Sequence, residues 1–239
     1  MQRRSVDSAM MPVTTFRPRA ATMLGAILFV CLFPALAALA HAGLEEGKRA
    51  YREGDYAVAL REFLPLAEAG DVTVQNQVAA MYYAGQGTDP DQAKAAEWFR
   101  RAAERGSVDA QYLLGKLYFH GQGVPRDFDE AAKWLQEAAL QGKPQAQALL
   151  ASLYFSGQGV AKNEMKAFFW AELSSRAANL PEEDKKYAQT LRDQIQALLE
   201  QPQVESVREM IAKWEPKRKR PPAGRSPAKD APGDQAGTR

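Results

Sequence analysis

The sequence is poorest in the residues that build covalent and metal-centred chemistry, with one cysteine and two histidines among 239 residues. Cys31 lies in an apolar N-terminal run and His41 follows it, so a chain processed after that run keeps no thiol and one imidazole, His120. Disulfides, cysteine-rich zinc sites and multi-histidine metal sites are excluded for such a chain. A Ser-His-Asp triad has only His120 to draw on. An overall excess of one charge is also lacking: the formal net charge is +2, from 31 basic and 29 acidic side chains. That charge is unevenly spread. Residues 1–42 carry +3 and residues 216–239 carry +5, which leaves −6 on 43–215. At 46% hydrophobic and 25% charged residues, the chain is neither wholly disordered nor a multi-span membrane protein, and it is long enough for one sizeable core.

Residues 23–40 (MLGAILFVCLFPALAALA) are uncharged, follow Arg17 and Arg19, and end at Ala40-His41-Ala42. A basic region, an apolar region and small residues in that order predict a secretory signal peptide over 1–42, cleaved before Gly43. The apolar run of about 18 residues is just long enough for an uncleaved anchor. Pro34 and the alanine-rich end favour cleavage. A periplasmic or secreted protein is therefore expected, with N-terminal membrane anchoring as the alternative.

The middle of the chain repeats itself. Gly70, Gly106 and Gly142 are evenly spaced, as are Tyr82, Tyr118 and Tyr154, and Trp98, Trp134 and Trp170. Gly-Gln-Gly recurs at 85–87, 121–123 and 157–159. Aligned without gaps, 70–105 and 106–141 share 13 identities, and 106–141 and 142–177 share 14. Internal repetition at this period signals a solenoid of supersecondary units. In 108–120, Ala110, Leu114, Leu117 and Tyr118 keep helical spacing, and Gly121 suits the left-handed residue that stops a helix. Asp127 offers an N-cap oxygen to a second helix over 128–141, which buries Ala131, Trp134, Leu135, Ala138 and Ala139. Asp91 and Asn163 hold the equivalent positions. Ala79, Gly115 and Ala151 are small enough for neighbouring helices to approach closely.

The predicted architecture is all-α, a right-handed α-solenoid of helix–loop–helix repeats. A leading unit spans 44–69, the repeats are 70–105, 106–141 and 142–177, and capping helices span 180–215. The first capping helix runs from Leu180-Pro181 to about Glu200 on an apolar stripe of Tyr187, Leu191, Ile195 and Leu198. The second starts at Pro202 and holds Val207, Ile211 and Trp214. Residues 216–239 are Pro-, Gly- and Ala-rich with almost no large apolar group, so they are expected to be disordered.

The stretches Leu114-Gly115-Lys116-Leu117-Tyr118, Gly121-Gln122-Gly123-Val124-Pro125, Trp134, Ala138-Ala139 and Gly142 resemble the Sel1-like repeats, relatives of the tetratricopeptide units. Gly54-Asp55-Tyr56-Ala57 and Trp214-Glu215-Pro216 are similar to the opening and closing of exported bacterial members. The third unit departs, with Ala161 where proline is usual and Ser174-Ser175 for Ala-Ala, which puts the geometry of its final helix in question. The resemblance implies an adaptor that binds proteins. A cysteine-rich subgroup linked to β-lactam binding or hydrolysis has helical pairs stapled by disulfides and does not match.

Solenoids bind along the face made by the first helix of each pair. Once core positions are removed, a stripe at i, i+4, i+7 remains: Tyr112, Lys116 and Phe119 in the second unit, Asn76, Ala80 and Tyr83 in the first, Ala148, Ser152 and Phe155 in the third. Tyr83, Tyr112, Lys116, Phe119 and Phe155 are the candidate partner-binding residues, because aromatic anchors bring large contact area at low entropy cost. The competing role for these rings is packing against the next helix. His120 is placed to cap a helix end favourably as an imidazolium. Glu97, Glu130 and Glu137 read as solvated faces, and no acid pair points to catalysis. Lys217, Arg218, Lys219 and Arg220 are candidates for contact with an anionic membrane or another polyanion. Nucleic acid is not an expected partner, since aromatic platform and basic folded face are missing. No cofactor or metal is expected. A non-enzymatic adaptor of the cell envelope leads; a cell-wall hydrolase or ligand-binding protein, and a tether acting through the basic tail, are the alternatives.

Overall fold

Side-chain oxygens start most of the helices, and glycines stop half of those in the repeats. In the computed structural model the described residues are 42–216, and their regular elements are all helices. The apolar run of the predicted signal peptide and the basic run Lys217–Arg220 lie outside them. The helices are α1 (42–53), α2 (Tyr56–Glu68), α3 (Val72–Ala84), α4 (Gln92–Glu104), α5 (Val108–His120), α6 (Phe128–Leu140), α7 (Pro144–Ser156), α8 (Glu164–Ser175), α9 (Glu182–Gln196) and α10 (Gln201–Ala212). Helices α3, α5 and α7 are the first members of the three repeats, here called A helices; α4, α6 and α8 are the B helices. Asp71 and Ser107 cap α3 and α5, and Asp91, Asp127 and Asn163 cap the three B helices, each accepting from backbone N–H groups of the first turn. Helix α7 has Pro144 in its first turn in place of a side-chain cap.

The Gly-Gln-Gly triplet divides its work. Gly121 takes the left-handed conformation (φ +70°), and its N–H closes α5 on the Leu117 carbonyl. Gly123 makes a close approach instead. A Cβ there would sit on the backbone carbonyl of Gln92 at the start of α4, the B helix of the preceding repeat. Gly87 meets Tyr56 and Gly159 meets Phe128 in the same way. Each loop therefore docks on the start of the previous B helix, and this contact joins one repeat to the next.

Packing follows the expected stripes. Ala131, Trp134, Leu135, Ala138 and Ala139 of α6 are all buried, as are Ala79, Gly115 and Ala151 on the A helices. A Cβ on Gly115 would lie 2.8 Å from the Leu135 side chain, so the absence of one sets how closely α5 and α6 meet. The three repeat tryptophans are nearly buried, each worth roughly 2–3 kcal/mol of apolar transfer. One buried polar residue recurs with the period. Gln75, Gln111 and Gln147 donate their side-chain amides to the carbonyls of Ala67, Ala103 and Ala139, at 2.9, 3.2 and 3.2 Å. Those carbonyls lie in the last turn of the preceding helices, where each accepts one further bond, from the N–H of Gly70, Gly106 or Gly142.

The C-terminal helices differ from expectation in one respect. Helix α9 buries Ala188, Leu191 and Ile195, while Tyr187 and Leu198 are 44% and 57% exposed. The helix stops at Gln196, so Leu198 falls in the turn before α10 and leaves the stripe. In α10, Val204, Val207 and Ile211 are buried, and Trp214 meets the Trp170 ring edge-on at 6.3 Å. The serines of the third unit do not break its helix: Ser174 donates to the Pro144 carbonyl at 2.8 Å and Ser175 to that of Glu172 at 2.9 Å.

Candidate functional site

Three cavities among the described residues follow the A-helix face, with α1 extending that face at its N-terminal end. A further one of about 410 Å³ lies away from it, between Gln136 of α6, Tyr154 of α7, Phe169 and Trp170 of α8, and Met210 of α10. The first on the A-helix face, of about 300 Å³, lies between α1 and α3, lined by Lys48, Tyr51 and Arg52 of α1, Thr73 and Gln77 of α3, and Phe63. The next, of about 380 Å³, is lined by Tyr51, by Ala80 and Tyr83 of α3, and by Leu113 and Lys116 of α5. Tyr51 borders both, so they form one groove. Its floor carries a repeated hydrogen bond. The Tyr51 hydroxyl donates to Gln86 Oε1 at 3.1 Å, and the Tyr83 hydroxyl to Gln122 Oε1 at 3.4 Å. Both glutamines are the middle residues of Gly-Gln-Gly loops, so the triplet that joins the repeats also lines the groove.

The C-terminal half of this face is narrower, and α9 borders it. Helix α9 packs on α8 and also reaches α7. A cavity of only about 120 Å³ remains there, bordered by Tyr112, Lys116 and His120 of α5, Gln145 of α7, and Asp184 and Tyr187 of α9. Burial, and then the Asp184 charge, raise the Tyr112 hydroxyl above its ordinary value of 10.0. The Lys143 ammonium stands 5.6 Å from the Tyr112 ring and pairs with Asp109 at 2.8 Å. Helix α9 is tied to the repeats by Glu172, 6% exposed, whose carboxylate meets Arg176 at 2.6 Å and Arg192 at 3.7 Å.

The sequence-predicted residues separate accordingly. Tyr83, 39% exposed, and Lys116 line the open groove together. Tyr112 and Lys116 share the small cavity under α9. Phe119 borders neither space; its ring stands edge-on to Phe128 at 5.6 Å and to His120 at 5.0 Å. The second unit has Phe128 where the first has Gln92 and the third Glu164, and this aromatic neighbour draws Phe119 towards the B helix. Phe155 packs half-buried against the core. Asn76 donates to the Ser107 hydroxyl at 2.6 Å and so belongs to the repeat junction. His120 is exposed at the end of α5. The sequence reading missed Tyr51, the two loop glutamines and the approach of Asp184 and Tyr187 of α9 to Tyr112. The recurrence of glutamine between the glycines was the available signal for the loop residues.

Among the described residues, no group of three or more His, Cys, Asp or Glu side chains is placed to hold a metal ion, and no helix is long and apolar enough to cross a membrane. An aromatic and amide-lined groove lies on a solenoid of stacked helix pairs. Its repeats have a family. Residues 73–107, 108–143 and 144–179 match the Sel1 repeat, so the chain carries three Sel1 repeats. The matched units begin at the A helices, a few residues after the glycines that frame the sequence repeat. Two solved structures share the fold. One is c5321 of uropathogenic Escherichia coli, a protective antigen with an SLR fold: 30% identity, TM-score 0.57, covering 65% of this chain and 32% of that one. This chain thus spans about a third of that protein. The other is a Sel1 repeat protein from Oxalobacter formigenes: 23% identity, TM-score 0.56, covering 71% and 70%. Among curated proteins none is detectably similar. Sel1 repeats generally mediate protein–protein interaction and are typically non-enzymatic scaffolds.

Proposed function

We propose that this chain is a non-enzymatic adaptor of the bacterial cell envelope, exported by its N-terminal segment, that holds a protein partner in the groove between α1, α3 and α5. The observation that carries this reading is the continuous groove itself: two cavities of about 300 and 380 Å³ joined at Tyr51, with Tyr83 and Lys116 at its open side. Exposed aromatic rings held by hydrogen bonds are anchors that lose little entropy on binding. The envelope location rests on the basic, apolar and small-residue order of residues 1–42.

The test is capture in the native host. Intact cells are crosslinked and the chain is recovered with what it holds, beside a Tyr83→Ala/Lys116→Ala variant checked for unchanged helicity. A defined envelope protein recovered with the wild type and lost in the variant supports the reading. Capture unaffected by the variant moves the interaction off this groove. The same preparation gives the mass of the mature chain: a start at Gly43 supports export with cleavage, and an intact N-terminus in the membrane fraction favours the anchor.

A further inference from the structure

The A-helix face is open at one end and narrow at the other, where α9 side chains border it. There the acidic first turn of α9, Glu182-Glu183-Asp184, approaches α5, with Asp184 and Tyr187 bordering the same cavity as Tyr112 and Lys116. The helix is polar overall and is held by a narrow apolar strip, Ala188, Leu191 and Ile195. The acidic first turn thus already borders the face, although Lys185, Lys186 and Arg192 nearly balance the four carboxylates of α9.

The open half offers matching chemistry. Lys48, Arg52 and Lys116 line it against one carboxylate, Glu45, which pairs with Lys48 at 2.9 Å. Gln86 and Gln122 commit their oxygens to Tyr51 and Tyr83, which leaves the amide hydrogens as donors. The groove therefore combines apolar ring surface with an excess of cations and donors over acceptors. Lys116 borders both halves, so one cation faces α9 on one side and the groove on the other.

We propose that the open half binds an acidic amphipathic segment of the partner protein, with carboxylates towards Arg52 and Lys116 and apolar side chains on Tyr51 and Tyr83. This deepens the adaptor reading and rests on it. Exposed charges at such a rim act on association rate and are screened by salt, so binding weakens as ionic strength rises.

The experiment measures anisotropy of a labelled peptide of leucines and glutamates at helical spacing, mixed with the full-length protein. Its counterpart carries lysine at every glutamate. The glutamate peptide binds, the lysine peptide does not, and Arg52→Glu weakens binding about tenfold with helicity unchanged. Arg52 stands on α1, away from α9, so this variant leaves the α9 contacts intact. Three results overturn the proposal: both peptides bind alike, neither binds, or Arg52→Glu has no effect. A loss produced only by neutralising Lys217–Arg220 also overturns it, because the tail is then the binder. If the peptide test fails while in-cell capture still depends on Tyr83, the groove reading stands with a partner of other chemistry. If both fail, the groove reading falls too.

Discussion

The side chain of Gln111 is buried, and its amide reaches across a repeat junction to the Ala103 carbonyl while its oxygen accepts from Gln141 at 2.7 Å. Replacing it with leucine removes both bonds, while the Ala103 carbonyl keeps the Gly106 N–H at 2.9 Å, and urea unfolding should report a loss of about 0.5–1.5 kcal/mol. The glycines give a sharper contrast. Gly106 and Gly123 both have positive φ, at +85° and +71°, but a Cβ on Gly106 meets open space and one on Gly123 meets the Gln92 backbone. Gly106→Ala should cost about 1–2 kcal/mol, the left-handed backbone penalty alone, while Gly123→Ala should exceed it by about 2 kcal/mol or more. Equal losses would show that the loop is free to move off α4. At Tyr112 the phenol is held above its ordinary value of 10.0, so it favours the folded state while neutral. That contribution is complete below pH 10 and is lost as pH rises through the folded value. Melting temperature should therefore fall more steeply above pH 10 in the wild type than in Tyr112→Phe.

At the scale of elements, the repeats were the most legible part of the chain and α9 the least. The bounds expected for α5, 108–120, are those observed, because an apolar stripe, a serine cap and a stop glycine all agree there. The site was legible only in part. Tyr83 and Lys116 reached the groove as helical spacing predicts. Phe119 did not, because its position depends on Phe128, a contact between two helices that no single-helix pattern contains. The placement of α9 over Tyr112 has the same origin: its sequence marks a polar helix with a thin apolar strip, and the surface it meets is set by tertiary packing. Ile195 is fully buried under that helix, so Ile195→Ala should cost about 2–5 kcal/mol. Hydrogen exchange should then accelerate first in α9 and α10, with α3 to α6 still protected, since repeat arrays propagate their stability between neighbours. Uniform acceleration along all helices would mean that α9 is integral to the whole solenoid.

For the whole molecule, the described repeats build a row of helix pairs whose shared face is open beside α1, α3 and α5 and narrows towards α9. The junction contacts of Gly87, Gly123 and Gly159 and of the buried glutamines set the spacing of that row, and the loop glutamines turn the same junctions towards the groove. Binding should therefore be separable from folding. Tyr83→Ala, at an exposed ring, should leave stability within about 0.5 kcal/mol of the wild type. The most direct test of the central claim is a photo-crosslinking residue placed at position 83 in the groove, with position 137 on the exposed side of α6 as its control, irradiated in living host cells. One defined protein adduct formed from position 83 and absent from position 137 is the expected result. Adducts from position 137 alone, or the same adduct from both, would contradict the assignment of the groove as the binding face.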